Sequence, residues 1–172
     1  AGTTTRPGAP EPPSATSPNP AVTFAADSAA RDAEAAASAA QPRDFARAFP
    51  LLDDAASRLE ALSKTAGPGD QAAVTSAQGR LERSREVAVQ ALTDWAKPQI
   101  DKARNTFFVA TDSANDDEEG IMRAYAEVYP VLKWKDRLPP VLRQSAAALA
   151  QECKENLNAE EWEQAEALAR GK

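Results

Sequence analysis

From residue 45 onward, apolar side chains recur at steps of three and four, the spacing of one helix face. Phe45, Phe49, Leu52, Ala56, Leu59 and Leu62 place a core-facing helix over Asp44–Lys64. Pro50 either begins that helix or bends it. T-A-G-P-G at 65–69 stops it, with Gly67 as terminator and Pro68 just beyond. Asp70 then stands as N-cap to the longest run, whose face carries Val74, Ala77, Leu81, Ala88, Leu92 and Trp95. Beyond Pro98 the stripe continues through Ile100, Ala103, Phe107 and Ala110 with no turn cluster, so a kinked continuation is favoured over a new helix.

TDSANDDEEG at 111–120 predicts a loop, followed by a helix burying Ile121, Tyr125, Val128 and Leu132, bent or shortened by Pro130. Leu138-Pro139-Pro140 separates it from a stripe of Leu142, Ala146, Leu149, Cys153 and Leu157. Asn158, with Glu161 three residues on, resembles a capping box and opens a helix through Arg170 that carries Trp162 and Leu168.

The N-terminal part reads differently. Residues 1–20 hold six prolines and no Leu, Ile, Val or aromatic side chain, which predicts an extended, unpacked spacer. Residues 27–41, DSAARDAEAAASAAQ, have helix propensity but almost nothing large to bury, and Pro42 should end them. The expected organisation is a disordered spacer over 1–26, a marginal Ala-rich helix over 27–41 and a helical bundle domain over 44–170. No segment alternates as a strand does, and no repeat of solenoid length appears. The fold class is therefore all-α, an antiparallel bundle of four to five helices behind a disordered Pro-rich N-terminal segment.

Composition thins this core. Against 39 Ala stand 27 residues of Leu, Ile, Val and Phe, so alanine must supply much of the packing surface. A net charge of −6 disfavours nucleic acid as a partner, and no apolar run is long enough to cross a bilayer. The chain has no histidine and one cysteine, which removes most familiar catalytic and metal-binding constellations and leaves no cofactor implied. A Pro/Thr/Ser-rich start at Ala1 is the kind of spacer that follows a removed signal or a lipid anchor, which favours export slightly. Simple removal of Met explains the same start.

Each candidate site has a plainer explanation beside it. Asn115, Asp117, Glu119 and Gly120 echo an EF-hand loop, but position twelve is Ala126 and Glu127 falls one residue late. Asp116 or Asp117 capping the next helix accounts for the same letters. Cys153 sits on an apolar stripe without a histidine to activate it. The pairs Asp53-Asp54 and Glu160-Glu161 diverge by about 100° on a helix and flank no bond, so no enzyme is expected. Lys133, Trp134, Lys135, Arg137 and Arg143 form the one basic and aromatic cluster, a candidate partner-binding surface. Its structural alternative is that Trp134 closes the end of the bundle while the cations complement a helix C-terminus.

The expected function is a non-catalytic protein-protein interaction or structural domain, exported or surface-tethered through its spacer, with its partner unidentified and a homo-oligomer left open. The alternative is a small-molecule binding protein holding an apolar ligand between helices, with Phe45, Phe49, Trp95, Phe107, Tyr125, Tyr129 and Trp134 around it.

Overall fold

The structure is a computed structural model that describes residues 17–112, 114 and 117–171, together with Gly2 and Gly8. Most of the expected spacer lies outside the described residues, as do Asn115 and Asp116. The described chain is all-helical, with six helices rather than four or five: α1 (Pro20–Ala40), α2 (Phe45–Thr65), α3 (Gln71–Thr111), α4 (Glu118–Leu132), α5 (Pro140–Glu155) and α6 (Ala159–Arg170). They fall into two compact units, residues 1–87 and 88–172. α3 contributes its first turns to one unit and the remainder to the other.

In the first unit, α1 packs on α2. It starts at Pro20, inside the stretch expected to be spacer, because Asn19 caps it and Pro20 fits the first helical position. The Asn19 side chain accepts a hydrogen bond from the Ala21 N–H at 3.0 Å. The want of large side chains does not leave this helix unpacked. Ala26, Ala29, Ala30, Ala33, Ala36 and Ala40 form one buried stripe, and methyl-sized contacts let helix backbones approach closely.

Nor does Pro42 end α1 in the expected way. The residue before it, Gln41, stays right-handed helical at φ −60° and ψ −47°. The reversal belongs to Arg43, left-handed at φ 67°. The Arg43 N–H donates to Ala40 O at 3.0 Å and the Asp44 N–H donates to Ala39 O at 3.1 Å, the bond pair of a Schellman cap. Asp44 then caps α2, accepting from the Arg47 N–H.

Phe45, Phe49, Leu52 and Leu59 are buried as expected. Ala55 takes the place foreseen for Ala56, and Leu62 is only half-buried. The helix runs through Pro50, with buried Phe49 and Leu52 keeping the stripe in phase across the lost backbone bond. It ends at Thr65, where Ala66 is extended and its N–H donates to Leu62 O, before Gly67 is reached.

Asp70 precedes α3, its carbonyl accepting from the Val74 N–H at 3.1 Å. Its buried carboxylate accepts from the Asn19 N–H at 2.7 Å, so one side chain joins the starts of α1 and α3. Val74, Ala77 and Leu81 complete this core.

In the second unit, α3 supplies Ala88, Leu92, Ala96, Ile100, Ala103 and Ala110 to the interior. It passes through Pro98 as one helix, which resolves the choice between continuation and a second helix. α3 continues to Thr111 and α4 begins at Glu118, so both helices reach into the stretch expected to be loop. Asp117 caps α4, accepting from the Gly120 N–H at 3.1 Å, while Glu118 and Glu119 occupy its first turn. α4 packs on both α5 and α6, burying Ile121, Tyr125, Val128 and Val131, and continues past Pro130 to Leu132. From α5 come Ala146, Leu149 and Cys153. In α6 the Asn158–Glu161 capping box forms as read from the sequence. There Ala165 and Ala169 are the buried residues, and Leu168 lies on the exposed side.

Candidate functional site

The sequence-predicted cluster surrounds the α4–α5 connection. Lys133 is the C-cap of α4, and its Nζ lies 5.2 Å from the centre of the Tyr129 ring. Arg143, in the first turn of α5, donates from Nη2 to Leu138 O at 3.2 Å, so it closes the turn that Pro139-Pro140 opens. The Trp134 carbonyl accepts from the N–H groups of Arg137 and Leu138, and the Trp134 side chain is half-buried. The five residues thus lie around the α4–α5 connection, where Arg143 hydrogen-bonds the connecting backbone and Lys133 lies near the Tyr129 ring.

The aromatic side chains named for a ligand cavity are divided between the two units. Phe45 and Phe49 are core residues of the first, with ring centres 6.1 Å apart. In the second, Tyr125 is buried and packs against Trp162 at 4.5 Å and Tyr129 at 5.9 Å. Lys154 Nζ lies over the Trp162 ring, 5.5 Å from its centre.

A groove that the sequence reading did not single out lies in the first unit, between the beginning of α1 and the end of α2. It has a volume of about 500 Å³ and is lined by Phe24, Ala25 and Ser28 from α1 and by Arg58, Ala61, Leu62 and Thr65 from α2. Phe24 is 74% exposed, the most exposed large apolar side chain among the described residues. The arrangement follows from helix phase. With Ala26, Ala29 and Ala30 directed inward, Phe24 and Ser28 fall on the flank of α1, and small Ala25 and Ala61 leave the space between the helices unfilled. The signal available in sequence was an isolated large apolar residue just ahead of a stripe of alanines.

Arg58, one of the lining residues, ties α2 to α1. Its Nη2 binds Asp32 Oδ2 on α1, and its Nε lies 2.8 Å from Asp54 Oδ2 on its own helix. That second contact is an ion pair whose hydrogen-bond alignment is poor, which leaves the Nε–H without a well-directed acceptor. Hydrogen bonding to Asp32 raises the Arg58 pKa despite partial burial, so the guanidinium stays charged. Elsewhere on α1, Arg80 of α3 makes a two-pronged contact with Glu34 at 2.7 and 2.9 Å and a third bond to Asp27 at 2.7 Å.

Other chemistry is sparse. Burial pushes the Cys153 thiol up to about 12, the opposite of what a nucleophile needs. Among the described residues no group of three or more Asp, Glu, Cys or His converges as a metal site, and no helix is long and apolar enough to cross a membrane. No protein-family model matches the chain, and no curated protein or solved structure matches it either.

Proposed function

We propose that the protein is a non-catalytic interaction module that holds an apolar segment of a protein partner in the α1–α2 groove, with Phe24 as the exposed anchor. The carrying observation is Phe24, three-quarters exposed on the rim of a groove of about 500 Å³. Single exposed apolar residues are ordinary on protein surfaces, but an aromatic ring beside unfilled space between helices is a contact waiting for its other half. An open trough suits a row of side chains from a helix or extended segment better than an enclosed small molecule. The non-catalytic reading is supported by the absence of histidine from the chain and by the buried, unactivated thiol of Cys153.

The basic cluster at Lys133, Trp134, Lys135, Arg137 and Arg143 is the second candidate surface, and one experiment separates the two. A photo-reactive phenylalanine analogue is placed at residue 24 or at residue 134, and cross-linking is carried out in the native source. The groove predicts a saturable, single-species adduct from residue 24 that Leu62→Asp abolishes while helix content is retained. Adducts from residue 134 alone would transfer the function to the α4–α5 turn. The small-molecule alternative draws on the groove volume, which is within the range of ligand pockets; a retained mass on the intact protein in native mass spectrometry would favour it.

A further inference from the structure

We propose that the second unit has an interaction surface of its own, on the outer side of α3, and that its partner is a second copy of this chain held across a two-fold axis at Phe108. Exposure, charge and register carry the inference.

Phe108 and Val109 are 62% and 63% exposed, while Ala103 and Ala110 make the buried face of this part of α3. Arg104, Asn105, Phe108, Val109 and Asp112 are all exposed. Their spacing places them on one strip along the outside of the helix.

The strip is self-complementary in charge. Neither the Arg104 guanidinium nor the Asp112 carboxylate is engaged by any described residue. One stands four residues before Phe108 and the other four residues after it. A two-fold axis through Phe108 runs two α3 helices antiparallel and exchanges these positions. Arg104 of each copy then meets Asp112 of the other, and two ion pairs flank a contact between the two Phe108 rings, which gains beyond its buried area. An axis placed earlier, between Thr106 and Phe107, would oppose Asp101 with Asp112 instead.

The contact is small. Residues 104 to 112 span about 12 Å of helix. That is below the usual size of stable interfaces, so the expected dimer is weak, with a Kd on the order of 10⁻⁴ M.

The test is sedimentation equilibrium of the full chain, from well below to well above that concentration. Arg104→Glu, which sets like charges opposite each other twice, and Phe108→Ser should each weaken association about tenfold with helix content unchanged. Arg104→Glu combined with Asp112→Arg should restore it to within about threefold of the native chain. Residues 104 and 112 are about 12 Å apart on their own helix, so such rescue has to come from between two copies. A native chain that stays monomeric throughout overturns the proposal, as does association unmoved by either single substitution or not rescued by the exchange. A dimer lost on Phe24→Ser but kept on Phe108→Ser would seat the second copy on the α1–α2 groove and overturn it equally.

Discussion

Two single residues show how much backbone geometry is set by local chemistry. A Cβ added at Gly120 would lie 2.7 Å from both the Ala110 Cβ and Asp117 Oδ2. Glycine there lets the start of α4 close against the end of α3, where the Asp117 N–H donates to Ala110 O at 3.0 Å. Gly120→Ala is expected to cost about 1–3 kcal/mol, the usual range for overpacking, read as a lowered urea midpoint at unchanged slope. Arg43 is the converse case, a long side chain at the left-handed position that glycine usually fills. Nothing in Gln41-Pro42-Arg43 spells such a cap, because the signal for it is a glycine and this chain has none there. The caps at Asp117 and Asn158 were legible, since each is a short polar side chain ahead of a helical stripe.

At the scale of the helix, what sequence pattern conveys is the direction of large side chains. The faces of α2, α4 and α5 were readable from Phe45, Leu52, Ile121, Val128 and Leu149 because each residue marks its own phase. The start of α1 and its buried face were not readable because methyl groups mark phase weakly, and a single flanking Phe24 carried the groove. Ion pairs between distant residues were illegible for a different reason. Arg80 with Asp27 and Glu34, or Arg58 with Asp32, meet only after the helices have packed.

These pairs have a measurable effect on acid stability. The Arg80 hydrogen bonds hold the carboxyls of Asp27 and Glu34 below their ordinary values of 3.8 and 4.5. Carboxyls so lowered stabilise the fold above their unfolded values, and that contribution is lost as pH falls through the folded ones. Stability of the native chain should therefore decline as pH drops below about 4.5. Arg80→Met is expected to make that decline shallower, as urea midpoints between neutral and acid pH would show. An acid limb equally steep in the variant would mean that these carboxyls are not coupled to folding.

At the scale of the whole molecule, the chain carries two cores, and α3 is the element common to both units. Sequence alone placed a single bundle over 44–170, because the continuous stripe through Pro98 gives no sign of where one core stops. Leu59 lies in the first core and Val128 in the second, both fully buried. Leu59→Ala is expected to cost about 2–5 kcal/mol of local stability. Hydrogen exchange should then accelerate across residues 45–65 while residues 121–131 and 146–153 keep their protection. Uniform acceleration through both units would show instead that they unfold as one.

The alanine stripe of α1 has one further consequence, for the uniqueness of the fold. A methyl group has no rotamer to lose on packing, but a row of equivalent methyls also resembles the rungs of a ladder. A slide of one turn brings Ala26 to where Ala29 or Ala30 was and meets nearly the same surface. What stops such a slide is a set of polar pins spaced along the helix: Asn19 to Asp70, Asp27 and Glu34 to Arg80, and Asp32 to Arg58. Their principal contribution is then to the choice among neighbouring registers. Losing several together would give helices that persist in more than one alignment, with doubled amide signals from α1 and nearly unchanged helix content.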